Sequence, residues 1–172
     1  TSGIEHHAGR EACRQLEREG FEVTWLPPTR AGLVEPRRVA EALRPDTALV
    51  SLIHANNETG VLNDIDAVGA ACREREVALH VDAVQSAGKL PIDVANSAVA
   101  LLSFCAHKLG GPKGVGALYV RRRPRPALQP LQFGGSHEGG LRPGTLATHQ
   151  IIGFGVACEL ARAALETEPA RI

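Results

Sequence analysis

One stretch of this sequence decides the fold: Ser103-Phe104-Cys105-Ala106-His107-Lys108-Leu109-Gly110-Gly111-Pro112-Lys113-Gly114-Val115-Gly116. It starts inside an apolar run over 99–104, which is typical of a strand that is buried on both faces of a sheet. It continues through glycines, which let a backbone come close to a ligand. We therefore expect a buried strand, a short loop that carries Lys108, and a further strand over 115–120.

The same patterns extend outward from this stretch. Apolar or alternating runs predict strands over 21–26, 48–53 and 77–81. Helical spacing of apolar residues predicts helices over 7–20, 36–43 and 65–76, the last with Asn63 or Asp64 as its N-cap, and an amphipathic helix that runs to Ile172. Alternating strands and helices with short links indicate an α/β fold, a mostly parallel sheet with helices on both faces. Ligands bind such sheets beyond the carboxyl ends of the strands.

The bulk composition argues against several classes of partner. The 172 residues carry 19 basic and 19 acidic side chains, so no overall field favours nucleic acid or a membrane surface. The four cysteines lie far apart without a CxxC pair, and no apolar run is long enough for a membrane span or a secretory leader. We therefore expect one domain in a reducing, cytoplasmic compartment, with no direct nucleic-acid or membrane binding.

Lys108 is the candidate for covalent chemistry. An amine on a loop beyond a buried strand, desolvated and close to other cations, is partly neutral at physiological pH and can attack an aldehyde. The aldehyde cofactor that fits is pyridoxal 5'-phosphate. Two other lysines compete, but Lys89 falls in a predicted solvated turn and Lys113 falls in the glycine loop.

Further polar residues follow the predicted strands. Asp82 could hold the proton of the cofactor's pyridine nitrogen, or it could be an ordinary helix N-cap or turn residue. Gln85 could donate to the phenolic oxygen of the ring, or it could be a first-turn helix residue. His107, with Cys105 and the backbone amide of Ala106, could bind the phosphate as an anion nest, although His107 could also be a core imidazole.

Several motifs, in one order along the chain, carry a resemblance to a known family. They are Thr1-Ser2-Gly3-Ile4-Glu5-His6, Ile53-His54-Ala55-Asn56-Asn57-Glu58-Thr59-Gly60, His80-Val81-Asp82-Ala83-Val84-Gln85-Ser86, Gly134-Gly135-Ser136-His137-Glu138 and Arg142-Pro143-Gly144-Thr145. Together with the His-Lys and Gly-Pro-Lys-Gly pair, they resemble the cysteine desulfurases of fold type I. The resemblance covers nearly all 172 residues and implies that they form the central part of the cofactor-binding large domain, without the N-terminal segment and the C-terminal small domain.

The resemblance implies an activity and a set of roles. Enzymes of this family convert L-cysteine to L-alanine and an enzyme-bound persulfide, which passes to a sulfur-acceptor protein for iron-sulfur cluster assembly or tRNA thiolation. By this resemblance Lys108 and His6 are catalytic, with His6 stacked on the cofactor, and Asn57 lies beside the phenolic oxygen. Thr145 reaches the phosphate of the neighbouring subunit, which implies a homodimer.

Each role has a simpler alternative. Without the family, His6 reads as a solvated helix start, Asn57 as a turn residue, and the loop of Thr145 as a flexible surface segment. Whole-protein alternatives are a selenocysteine lyase, another fold type I lyase or aminotransferase, or a non-catalytic scaffold fragment. A metal site is not expected, because the zincin-like pair His137-Glu138 has leucine at 141 in place of the second histidine.

The chain departs from the family at two points. Cys105 stands where the family usually has serine, and a thiol donates more weakly to phosphate than a hydroxyl, so weaker cofactor binding is expected. In the family, the nucleophilic cysteine and the substrate-carboxylate arginine lie beyond the position of Ile172, and none of the four cysteines here matches that motif. We therefore expect the chain alone not to complete desulfuration.

Overall fold

The computed structural model describes residues 1–171. The helices are α1 (His7–Arg18), α2 (Pro36–Ala42), α3 (Ile65–Glu74), α4 (Thr148–Ala164) and α5 (Glu168–Arg171), and short 3-10 helices lie at Ala106–Leu109 and His137–Gly140. The strands are β1 (Leu49–Ile53), β2 (Ala78–Asp82), β3 (Val99–Cys105) and β4 (Gly116–Val120). Among these residues, no helix combines the length and the apolarity that a membrane crossing requires.

The four strands form one sheet in the order β1-β2-β3-β4. β1, β2 and β3 are parallel, whereas β4 runs antiparallel to β3. A parallel return needs a long crossover, which α3 supplies between β1 and β2, while the short 3-10 turn and glycine loop after β3 bring the chain straight back. The predicted α/β fold with a mostly parallel sheet and helices is confirmed.

Most predicted elements are present, with shifts of a few residues at their ends. Asp64 is the N-cap of α3, since its Oδ1 accepts a hydrogen bond from the Ala67 amide at 2.9 Å. The predicted strand over 21–26 is wrong, because this segment pairs only through an isolated bridge between Ser2 and Leu26. An alternating sequence becomes a strand only where a neighbour continues the ladder. The predicted C-terminal helix breaks after Ala164, and Ile172 lies outside the described residues.

The core lies on one face of the sheet. Leu79 and Val81 of β2 are 0% exposed and pack with Val68 and Cys72 of α3. A register shift between β2 and β3 pairs Leu79 with Val99 but His80 with Leu101, so one extra residue of β3 is accommodated there. The shift keeps Val99 and Leu102 of β3 beside Leu79 and Val81 on the core face, and it places Ser103 beside Asp82 on the other face.

α4 packs behind the turn that carries Lys108. The ring centroids of Phe154 in α4 and Phe104 in β3 lie 5.4 Å apart. Gly111, just after the turn, leaves little room for a side chain, since a Cβ there would lie 3.0 Å from the Ala157 Cβ. The close contact between α4 and the turn fixes where the turn leaves the sheet.

Candidate functional site

Asp82 lies at the carboxyl edge of the sheet, between β1 and β3. It is the last residue of β2 and pairs in register with Ile53 of β1 and Ser103 of β3. Its Oδ1 accepts a hydrogen bond from the Val84 amide at 2.9 Å, which holds the carboxyl group at the start of the next loop. This is the edge where ligands of parallel sheets bind.

Lys108 lies in the 3-10 turn that follows β3 directly. Gly110 ends the turn with φ of 79°, a left-handed conformation that suits glycine. Lys108 is exposed among residues 1–171. The prediction that its amine is desolvated is therefore wrong for this part of the protein. The side chains that would cover the amine are therefore not supplied by this part of the chain.

The residues predicted to bind the phosphate, Cys105, Ala106 and His107, lie at the end of β3 and in the turn that follows it. The Cys105 Sγ and the His107 Nε2 lie 3.8 Å apart, so these two side chains do come together at the end of β3. The Ala106 N–H donates to the Val115 carbonyl at 3.2 Å, so in this structure it is not free to donate to a phosphate, and its predicted role stays a prediction. The ladder between β3 and β4 continues one residue farther than the sequence suggested.

The remaining predicted residues occupy ordinary local positions. His6 is exposed and caps α1, where its Nδ1 accepts from the Ala8 amide at 3.2 Å. Asn57 is exposed in the turn after β1, and Gln85 is half-buried in the loop after β2. Thr145 is exposed before α4, and no hydrogen bond among the described residues ties its side chain to the others. Their assigned roles remain predictions.

Glu5 is a buried acid that the sequence analysis missed. Glu5 is 5% exposed, and its carboxyl accepts a hydrogen bond from the hydroxyl of Ser2, a fully buried residue. Burial raises the pKa of Glu5 to about 6, repulsion from Asp82 adds to the rise, and Ser2, the Ile53 backbone and the N-terminal amine oppose it. No sequence pattern predicts that Glu5 is buried, because a single acidic residue just before a helix is normally exposed to solvent.

His80 was also missed, and it links three strands. Its Nδ1 lies 2.8 Å from the Ser51 Oγ of β1, and its Nε2 lies 2.8 Å from the Ser103 Oγ of β3. Burial lowers the pKa of His80, and Asp82 opposes this. A neutral imidazole donates at one nitrogen and accepts at the other, and a hydroxyl can do either. The two contacts of His80 hold β1, β2 and β3 together on the face of the sheet that also carries Asp82.

The chemistry of these side chains suits pyridoxal phosphate. A carboxylate ends β2, a primary amine follows β3, and a thiol and an imidazole meet beside that amine. These are the groups needed to face a pyridine nitrogen, an aldehyde and a phosphate. The donor set therefore fits the cofactor, although the Ala106 amide contributes nothing to it.

Comparisons with known proteins agree with this fit. The chain is 57% identical over its whole length to the cysteine desulfurase IscS of Shewanella loihica and 56% identical to that of Shewanella woodyi. It covers 43% of each relative, so it spans less than half the length of the curated relatives it matches.

Solved structures give the same result for the fold. A structure described as "SspA in complex with cysteine" superposes with a TM-score of 0.89 at 46% identity, over 92% of this chain and 46% of that one. DndA from Streptomyces lividans superposes with a TM-score of 0.89 at 42% identity, over 96% of this chain and 47% of that one. The resemblance to cysteine desulfurases is thus confirmed.

A family model settles the classification. The model described as aminotransferase class-V matches residues 1–171. Proteins of this family depend on pyridoxal phosphate, so the cofactor expected from the sequence is confirmed. By this match and by the sheet that it shares with solved relatives, the chain belongs to the aminotransferase class-V family.

Proposed function

We propose that the full-length protein that carries this chain is a pyridoxal-phosphate-dependent cysteine desulfurase. It would convert L-cysteine to L-alanine and leave the sulfur as a persulfide on an enzyme cysteine. One observation carries the proposal: relatives named cysteine desulfurase match all 172 residues at up to 57% identity. Residues 1–172 would be the central part of the cofactor-binding large domain.

Each candidate side chain has a task in holding the cofactor. Lys108 would bind it covalently, and Asp82 would face its ring nitrogen from the end of β2. Cys105 and His107 would hold the phosphate, and Gln85 and Asn57 would lie beside the phenolic oxygen. His6, at the start of α1, would cover the ring. The positions of Asp82 and Lys108 at the ends of neighbouring strands support this arrangement.

The protein groups would then move protons and sulfur. When bound, pyridoxal phosphate supplies an electron sink for the carbon that loses its proton. The Lys108 amine, once released, would take the α proton of L-cysteine, and His6 would return a proton during product formation. The sulfur would pass to a cysteine thiolate outside the 172 residues, and the remaining fragment would take up a proton to give alanine.

The same proposal includes partners. Leu131 is 96% exposed and Phe133 is 88% exposed, on the loop that precedes Thr145, and such apolar exposure is typical of a surface that another chain covers. We propose a cytoplasmic homodimer in which Thr145 reaches the phosphate of the neighbouring subunit. A sulfur-acceptor protein would take the persulfide sulfur for iron-sulfur cluster assembly or tRNA thiolation.

A pair of lysine variants tests the function in the full-length protein. Lys108→Ala should abolish the visible absorbance of the bound cofactor and lower sulfide release from L-cysteine by at least about 10²-fold, because both attachment and the base are lost. Lys113→Ala, an exposed lysine in the same glycine loop, should leave both unchanged. Visible absorbance that survives in Lys108→Ala would refute the assignment. Selenide release from selenocysteine without sulfide release from cysteine would favour a selenocysteine lyase.

A further inference from the structure

Asn56 joins two segments that come from different parts of the chain. It is 8% exposed, and its Nδ2 donates to the Ile4 carbonyl at 2.8 Å. Its Oδ1 accepts from the Glu58 amide at 3.0 Å and from the Thr59 amide at 2.9 Å and hydroxyl at 3.0 Å. One side chain thus organises the turn after β1 and binds the segment that leads into α1.

The backbone of Asn56 is fixed as firmly as its side chain. Its N–H donates to the Val61 carbonyl at 2.9 Å, and its carbonyl accepts from the Gly60 amide at 3.0 Å. The residue cannot shift without breaking the turn, because bonds hold it from both sides. A buried amide that donates to one segment and accepts from another in this way gives one defined arrangement rather than several.

Each of the two joined segments carries a residue of the proposed site. Ile4 lies two residues before His6, and Asn57 follows Asn56 directly. Glu5, which lies between Ile4 and His6, is 5% exposed and accepts a hydrogen bond from the Ser2 hydroxyl, so this segment is itself buried and internally bonded. A bond at Ile4 therefore sets where α1 begins, and with it the place of the imidazole that caps the helix.

We infer that Asn56 is a positioning residue that sets His6 in place relative to Asn57 through its bond to the Ile4 carbonyl. Asn56 does not touch the substrate or cofactor in this scheme. It acts by holding the entry of α1 against the turn after β1. The inference deepens the proposed function and rests on it.

Two substitutions at Asn56 remove the bond to the Ile4 carbonyl and keep a side chain that can still accept hydrogen bonds in the turn after β1. Asn56→Ser keeps a short polar side chain that can still organise the turn but cannot reach Ile4. Asn56→Asp keeps the acceptor oxygen and loses the donor to the Ile4 carbonyl. Asn96→Asp is the matched control, because Asn96 is exposed in the loop before β3 and its side chain bonds only locally to Asp93.

The experiment uses the full-length protein, with and without pyridoxal phosphate. In the cofactor-free form, backbone amides over 2–8 should exchange hydrogen faster in both Asn56 variants than in the wild type. In the loaded form, the visible band should change its pH dependence, and kcat with L-cysteine should fall roughly 10- to 100-fold, as expected when an acting group is displaced by about 1 Å. Asn96→Asp should match the wild type in all three measurements.

The outcomes distinguish this inference from the function. A wild-type protein that shows no cofactor band and no sulfide release would refute the proposed function itself. A working wild type with unchanged exchange, spectrum and kcat in a folded Asn56 variant would overturn only the inference. A lower melting temperature with a normal spectrum and kcat would show a merely structural role and also overturn it. If neither Asn56 variant folds, the role of Asn56 is structural and the inference is also overturned.

Discussion

Glu5 lies buried next to the Ser2 hydroxyl, and burial raises its pKa from 4.5 to about 6. The folded state therefore holds a proton that the unfolded state releases more readily. The resulting stabilisation is complete below about pH 4.5 and is lost as the pH rises through about 6. At neutral pH the protein keeps a buried carboxylate at a cost in stability, and such groups are concentrated at functional sites.

The substitution Glu5→Gln should remove the part of the pH dependence of stability that Glu5 causes. The free energy of unfolding of Glu5→Gln, relative to wild type, should rise by about 2 kcal/mol between pH 4.5 and pH 7, because each pKa unit corresponds to about 1.4 kcal/mol. Urea unfolding of the cofactor-free, full-length protein at several pH values measures this. Glu11→Gln, an exposed substitution on α1, should show no such trend. A constant difference between Glu5→Gln and wild type would contradict the assigned pKa.

At the scale of elements, α3 holds β2 and hence Asp82 in place through very close packing. A Cβ at Gly69 of α3 would lie 2.8 Å from the Ala98 Cβ and 3.5 Å from the Leu79 side chain. Glycine is normally a weak helix residue, so its place in the middle of α3 reflects the lack of space. α4 offers the opposite case, because a Cβ at Gly155 would meet nothing within 4 Å.

The two glycines give a matched pair of substitutions. Gly69→Ala should lower the free energy of unfolding by about 1–3 kcal/mol, since the added methyl overpacks the contact with the loop before β3. Gly155→Ala should raise it by up to about 1 kcal/mol, because alanine favours the helix and has room. Chemical unfolding of the full-length variants measures both. Equal effects from the two substitutions would show that helix propensity, rather than packing, decides at Gly69.

For the whole molecule, the described residues leave the candidate site open. Lys108 is exposed, and the loop with Leu131 and Phe133 stands out into solvent. Since the chain spans 43% of its curated relatives, we expect the remainder of the protein and a second subunit to cover these surfaces. If Thr145 has the proposed role, each cofactor site combines Lys108 of one subunit with Thr145 of the other.

Mixed dimers test that statement. Full-length Lys108→Ala and Thr145→Val chains with different tags are co-expressed, and the mixed dimer is isolated. One of its sites would combine Lys108 from one chain with Thr145 from the other, so it should bind cofactor with wild-type affinity at about half the wild-type stoichiometry. Absorbance titration with pyridoxal phosphate measures this. Weak binding, like that of the Thr145→Val homodimer, would mean that Thr145 serves its own subunit.

The sequence by itself determined the order and type of most elements, an N-cap for α3 at Asn63 or Asp64, and the placement of Asp82 and Lys108 directly after strands. These features follow from hydrophobic period, capping chemistry and chain direction, which are local. The resemblance to cysteine desulfurases, carried by short motifs, led to the proposed activity.

Only the tertiary structure decided which polar groups are buried and what they bind. Glu5, Asn56 and His80 look like ordinary surface or turn residues in the sequence. Glu5 is buried, Asn56 bonds to the distant Ile4 carbonyl, and His80 bonds to serines of two other strands. The segment over 21–26 is not a strand, because no strand among the described residues pairs with it along its length. The Ala106 N–H donates to the Val115 carbonyl, because the pairing of β3 with β4 extends to that residue. Hydrogen-bond pairing and burial depend on residues far apart in the chain, so no local pattern can fix them.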